Sequence, residues 1–220
     1  MVITARNEAA RISSTIDALR LAFPGAIVVL GDDCSDDATA ALARGRGVEV
    51  VGDRRRRGKG ATASRAAARA LELGGSAAVY VLCDGDLGAS AAQLSALIGP
   101  LDSAAADIVV AAFTRRTGGG FGIAVGFARW ALRHRCGVTF SAPLSGQRAL
   151  NAKTLAAALP FARGYGMELA MTLEVLRAGG TVVELPLDLE HRAHGRDVEG
   201  FAHRARQLLD LVAAYASRRR

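Results

Sequence analysis

Two aspartates flank a glycine at Asp84-Gly85-Asp86, directly after the apolar run Val79-Tyr80-Val81-Leu82. Carboxylates so spaced offer hard oxygen ligands to Mg²⁺ or Mn²⁺, ions commonly held by one or two carboxylates together with substrate phosphates. A second acidic run, Asp32-Asp33-Cys34-Ser35-Asp36-Asp37, follows another apolar stretch, and Asn7-Glu8 follows the opening Met1-Val2-Ile3-Thr4. Chemistry on a metal-bound diphosphate is what such clusters suit. Each also has a plainer use. Asp-Gly-Asp makes a good turn, and Asp36 or Asp37 can cap a helix that begins at Ala38. Capping accounts for part of the second cluster and not for all four of its carboxylates.

The elements that must position these residues alternate. Ile12, Ile16 and Leu19 mark an amphipathic helix with Asn7 as its N-cap and Glu8 in its first turn. A β-branched apolar run over 26–30 reads as a buried parallel strand. Helices are expected over 38–43, 60–73, 91–101, 123–133 and 168–178, and from Asp197 onward. Strands are expected over 48–51, 77–82, 108–113, 148–150 and 181–187. Strands alternating with helices mean an α/β fold with a mostly parallel central sheet flanked by helices. In such a sheet ligands bind where strands end and loops begin, so the three acidic clusters should face one crevice. The opening strand is short for a central one, which raises the expectation that native residues precede Met1.

Length and composition bound the reading. The chain has 220 residues, half of them apolar, enough for one domain with its own core. We expect a single domain over 1–220. Three cysteines, Cys34, Cys83 and Cys136, are too few and too irregular for a disulfide framework or a zinc site, and fit a reducing compartment. No segment has the roughly 18 apolar residues of a membrane helix, so a cytoplasmic protein is expected, with peripheral membrane contact allowed. A net charge of +7 favours acidic partners. The run Arg54-Arg55-Arg56-Arg57 reads as well as a solvated segment as it does as a recognition site, and the tail Arg218-Arg219-Arg220 reads as a frayed end.

In order along the chain, Ala5-Arg6-Asn7-Glu8, Gly31 to Thr39, Gly58-Lys59-Gly60 and Asp84-Gly85-Asp86 resemble the motifs of glycosyltransferase family 2. The C-terminal half is similar to glucosyl-3-phosphoglycerate synthases. The matching segments are Gly118-Gly119-Gly120, Pro143-Leu144-Ser145-Gly146, Pro160 to Glu168 and His191-Arg192-Ala193-His194. The resemblance implies a GT-A fold, with residues 1–90 as the nucleotide-sugar half and 91–220 as the acceptor half. It implies a hexosyltransferase using a nucleoside diphosphate sugar, UDP-glucose favoured, and a Mg²⁺ or Mn²⁺ cofactor. The acceptor is not named by it, although the basic charge suits a phosphorylated or lipid-phosphate one, and the expected assembly is a homodimer.

Carried over motif by motif, Glu8 would contact the ribose, Asp32 or Asp33 with Ser35 the base, and Lys59 the diphosphate. Asp86 would bind the metal, Asp84 the metal or the ribose with Gly85 between them, and His191 or His194 would complete the metal shell. Glu168 would contact the transferred sugar, and Gly119, Gly120 and Ser145 the acceptor. Asp86, Lys59 and Glu168 form the implied catalytic set. Where those synthases carry an arginine that helps hold the acceptor phosphate, this chain has Phe121. Family 2 members mostly invert whereas the synthases retain; Gly164 to Glu168 and the histidine region side with retention.

Two other classes compete. Nucleotidyltransfer to a sugar phosphate normally opens with a glycine-rich loop after the first strand, and Ala5-Arg6-Asn7-Glu8 contains no glycine. A nucleic-acid-binding module needs aromatics interleaved with basic residues, and only 5% of the residues are aromatic. No nucleic-acid partner is expected.

Overall fold

Alternation of apolar residues decides which way each strand faces. In β1 (Val2–Ala5), Ile3 and Ala5 enter one core layer and Val2 the other, as the two-residue period of an extended chain requires. β2 (Val29–Asp32) divides in the same way, with Leu30 on the Ile3 side and Val29 on the Val2 side. The computed structural model describes residues 1–53, 55–114, 122–190 and 198–217, the stretch 198–206 as backbone only.

Five further strands are β3 (Glu49–Gly52), β4 (Val79–Asp84), β5 (Ile108–Phe113), β6 (Arg148–Asn151) and β7 (Val182–Leu187), in the order β3-β2-β1-β4-β6-β5-β7. Every pairing is parallel except those of β6, which runs antiparallel to both β4 and β5. This is the expected α/β architecture with a mostly parallel sheet.

One face of the sheet is covered by α1 (Ile12–Ala22), α2 (Thr39–Gly45), a 3-10 segment at Gly88–Leu97 and the short α4 (Gly99–Asp102). The other face carries α3 (Lys59–Gly74), α6 (Ala152–Ala158) and α7 (Met167–Arg177). The stripe Ala63, Ala66, Ala67 and Ala70 gives α3 a thin face that lies close on β1 and β2. α5 (Ile123–Cys136) and α8 (Val198–Ser217) pack outside α7 around Leu132, Leu169, Leu173 and Leu211. No described helix is long and apolar enough to cross a membrane.

Four local expectations change. Asn7 does not cap α1: it sits at φ 57° and its side-chain oxygen accepts the Asp36 N–H at 2.9 Å. The Glu8 carbonyl instead takes the Arg11 and Ile12 N–H groups. The helix expected over 91–101 is a 3-10 winding to Leu97 followed by α4, because Pro100 belongs at a helix start and not in its interior. α6 was not expected, although Asn151 caps it through the Thr154 N–H at 2.8 Å. The direction of β6 carries no sequence signal, since period two is the same in both orientations.

Candidate active site at the carboxyl end of the sheet

The loops after β1 and β2 are zipped together by side chains. Ser35 Oγ accepts the Asn7 N–H at 3.0 Å, Thr39 Oγ1 accepts that of Glu8 at 2.8 Å, and Asp37 accepts that of Ala9 at 3.0 Å. Asp37 also takes the Thr39 N–H at 2.9 Å and the Thr39 hydroxyl, but the N-cap of α2 is Ala38, with no side-chain cap bond, so neither Asp36 nor Asp37 holds the cap position expected of the acidic run. The bonds to the ionised form of Asp37 outweigh desolvation and lower its pKa. Asp32 accepts the Ser35 hydroxyl at 2.5 Å and its N–H at 3.2 Å, leaving a half-buried carboxylate–hydroxyl pair at the end of β2.

Asp33 turns the other way and is buried. Its Oδ1 accepts the N–H groups of Arg57 and Gly58, both at 2.9 Å, and the Thr62 hydroxyl at 3.0 Å. A carboxylate at a helix start satisfies free N–H groups and complements the helix dipole. Asp33 therefore fixes the first turn of α3, and that turn begins with Lys59.

The Lys59 ammonium lies 3.0 Å from Asp84 Oδ1 and 3.0 Å from Glu168 Oε1. Three elements meet there: the start of α3, the end of β4 and the first turn of α7. Burial works against the lysine charge, but Asp84 and Glu168 outweigh it and raise its pKa. Burial likewise opposes the Asp84 charge, and Lys59 with bonds from Gln147 and Thr4 overcomes it, lowering that pKa. Glu168 is only 2% exposed. Beside them the Cys83 thiol is pushed up to about 12 by burial first and Asp84 next, so it packs and does not react.

Asp84 is held from several sides. Gln147 Nε2 donates to its Oδ2 at 2.9 Å and Thr4 Oγ1 to its Oδ1 at 3.3 Å. Gln147 in turn accepts the Ser145 hydroxyl at 3.2 Å. A chain of polar contacts thus runs from Ser145 through Gln147 and Asp84 to Lys59 and Glu168. Gly146 leaves room for it: a Cβ there would meet Lys59 Nζ at 2.8 Å and Asp84 Oδ2 at 3.1 Å.

The loop that carries Ser145 is clamped from within. Arg148 is fully buried and donates to the carbonyls of Ser145 at 2.8 Å and Pro143 at 3.0 Å and to Thr172 Oγ1 at 2.8 Å. Burial pulls its pKa down to about 10, with Glu168 and Glu184 acting the other way, so it stays charged at neutral pH. Glu184 takes the N–H groups of Ser141 and Ala142, each at 2.7 Å. Sequence reasoning missed Thr4, Thr62, Gln147 and Arg148. The one available signal was an arginine inside an apolar strand pattern.

Past Asp84 the chain turns through Gly85 and Asp86. The Gly85 N–H bonds the Thr4 carbonyl at 2.9 Å, and a Cβ on Gly85 would meet that of Ala5 at 2.8 Å. Thr15 Oγ1 donates to the Gly85 carbonyl and accepts the Gly88 N–H, both at 2.9 Å. Arg11 donates to the Asp86 carbonyl at 3.2 Å. The turn is rigid, and it holds Asp86 half-buried with Oδ1 inside.

Glu8, Asp32, Ser35, Lys59, Asp84, Gly85, Asp86, Ser145 and Glu168 all stand on strand ends, loops or first turns at this end of the sheet. Gly119, Gly120, His191 and His194 lie outside the described residues. Among the described residues no group of three histidine, cysteine or carboxylate side chains gathers as a metal site. Asp84 and Asp86 are nevertheless hard oxygen donors of the type Mg²⁺ and Mn²⁺ take, and a shell of one or two carboxylates completed by phosphate oxygens is usual for them. The residues fit such an ion in the presence of a diphosphate.

Residues 1–140 match the glycosyl transferase family 2 description. No curated protein matches the chain. Among solved structures it is similar to glucosyl-3-phosphoglycerate synthase from Mycobacterium tuberculosis, at 26% identity over 98% of this chain and 78% of that one. The TM-score is 0.77 for the complex with Mg²⁺ and UDP, and 0.75 for the complex with Mn²⁺, UDP-glucose and phosphoglyceric acid. A complex of the same enzyme with Mn²⁺, UDP-glucose and glycerol 3-phosphate has a TM-score of 0.75, at 26% identity over 98% of this chain and 79% of that one.

Proposed function

The chain belongs to glycosyl transferase family 2 and is a glycosyltransferase of the GT-A fold; on that premise we propose that it moves glucose from UDP-glucose to a phosphate-bearing acceptor. Residues 1–90 form the donor half and 91–220 the acceptor half. The observation that carries this reading is Lys59, held 3.0 Å from both Asp84 and Glu168 where the two halves meet.

Transfer breaks the bond between the sugar C1 and the diphosphate oxygen, and forms one from C1 to an acceptor hydroxyl that gives up its proton. Negative charge grows on the departing diphosphate, and fixed positive charge near it lowers the barrier. Lys59 supplies that charge, and Asp33 fixes the helix start that aims it. Asp32 with Ser35 binds the base and Glu8 the ribose, since Asp33 is committed to α3. Glu168, a buried carboxylate at a helix start, accepts hydrogen bonds from sugar hydroxyls. Ser145, on its clamped loop, is assigned to acceptor binding, as are Gly119 and Gly120.

Asp86 would be the direct ligand of Mg²⁺ or Mn²⁺, with Asp84, whose oxygens also serve Lys59, Thr4 and Gln147, beside it, and His191 or His194 would complete the shell. When bound, the ion acts as a Lewis acid on the leaving diphosphate. The synthase complexes with UDP-glucose and either phosphoglyceric acid or glycerol 3-phosphate support the choice of donor and the acceptor class.

Calorimetry with UDP-glucose and GDP-mannose, each with Mn²⁺ and again with chelator, tests this. Binding of UDP-glucose that vanishes on chelation is expected. Preference for GDP-mannose, or binding indifferent to chelation, would overturn the assignment.

A further inference from the structure

The outer surface formed by α5 and α8 has no part in the site above, yet it carries the chain's single tryptophan. Trp130 is 51% exposed, Leu209 on α8 is 69% exposed, and Val212 is exposed beside it. Trp130 of α5 touches Tyr215 of α8, the helix that also exposes Leu209 and Val212 on its outward side, and a tryptophan left exposed on such a helix pair marks a binding surface. Trp130 is ordered by an aromatic cluster: it lies 5.3 Å from the rings of both His134 and Tyr215, and Phe127 lies 5.6 Å from it.

Next to this cluster is an open cavity of ≈ 450 Å³ lined by His134, Arg135, Arg177 and Tyr215. The Arg135 guanidinium sits 3.9 Å above the Tyr215 ring. Cations in the last turns of α5 and α7 complement the helix dipoles. That need is met one helix at a time, and it does not explain why they line one cavity beside an exposed tryptophan.

We infer that this face docks on an anionic lipid surface, with phosphate headgroups at the basic cavity and Trp130, Leu209 and Val212 entering the interfacial layer. Tryptophan and tyrosine favour the membrane–water boundary, and a helix with apolar and basic faces lies along it. Charge complementarity selects this occupant over a second copy: each copy carries +7 and brings its own arginines to the face. α8 also reaches the active-site segment, where Asp210 accepts the Tyr165 N–H at 3.2 Å. Docking would therefore set the sugar-transfer site at a fixed place relative to the bilayer.

The single tryptophan makes the test specific. The full chain is titrated with phosphatidylglycerol vesicles and with phosphatidylcholine vesicles while tryptophan emission is followed, and bound protein is measured by sedimentation. A blue shift with the anionic vesicles alone, reversed by salt, is expected. Arg177→Glu should weaken sedimentation roughly 30-fold, because it changes the charge at the surface by two. Leu209→Glu should weaken it as well, and since Leu209 is 69% exposed its melting temperature should hold. No binding to anionic vesicles would overturn the inference. So would binding without an emission shift, which would place the contact elsewhere. A blue shift that grows with protein concentration in the absence of lipid would make the occupant a second copy.

Discussion

Around β1 to β3 the polar groups that shape the site come from the loops themselves: Asp32 with Ser35, Asn7 with Asp36, Asp37 with Thr39. Around β6 they come from inside the core: Gln147 and Arg148 are buried, and they reach outward to hold Asp84 and the loop at Pro143 to Gly146. The first arrangement is local and can be lost one bond at a time. The second rests on a charge that only its neighbours make tolerable, so damage there should reach stability before it reaches binding. Lys59 stands where the two meet, its helix start fixed by Asp33 on one side and its charge matched by Asp84 and Glu168 on the other.

The sharpest contrast should come from Asp86→Ala. It removes the proposed metal ligand from a turn whose backbone is held by Thr4, Arg11 and Thr15, so turnover should fall by about 10³-fold with a native-like melting curve. Transfer at the wild-type rate would break the assignment of the site.

Arg148→Met should do the reverse. Two carbonyls and Thr172 lose their donor and Glu168 loses a nearby cation, at a cost of about 3 kcal/mol, read as a fall in melting temperature of roughly 10 °C. Unchanged stability would mean that the core on the β6 side does not depend on this charge.

Gly146→Ala tests the junction between the regions. The new Cβ displaces the tip of Lys59, which is flexible, so the fold should hold while misplacement of the ammonium lowers turnover by about 10²-fold. Loss of folding would show that the loop cannot yield at all.

Asn151→Ala is the smallest step. It removes the cap of α6 for about 1 kcal/mol and should leave kcat and KM as they are. A kinetic effect would extend the site beyond the residues placed in it.

The same contrast explains what could be read from the sequence. Asp84-Gly85-Asp86 and the acidic run stood out because residues at strand ends and in loops act through types and spacings that neighbours in the chain supply, whereas Lys59 was reached only through the family resemblance. The alternation of strands and helices, and with it the sheet, was legible for a similar reason, since period two and period 3.6 are local properties. Gln147 and Arg148 were not legible as site residues, because what they do depends on β4, α7 and a loop that only folding brings to them. Asn7 misled because one side-chain oxygen serves equally to cap a helix or to tie two loops, and the nearest competitor, the Asp36 N–H, is 29 positions away. The reversed strand β6 was invisible in the same sense: the pattern names the strand, and only its partners give it a direction.

The central claim, a UDP-dependent metal site at Asp86 beside the Lys59 cluster, is tested most directly by electron paramagnetic resonance of Mn²⁺ titrated into the full chain. Spectra would be recorded with and without UDP, for the native sequence and for Asp86→Ala. The account predicts Mn²⁺ binding that appears with UDP and is lost in the variant. Binding that ignores UDP, or that survives in a folded Asp86→Ala protein, would contradict it.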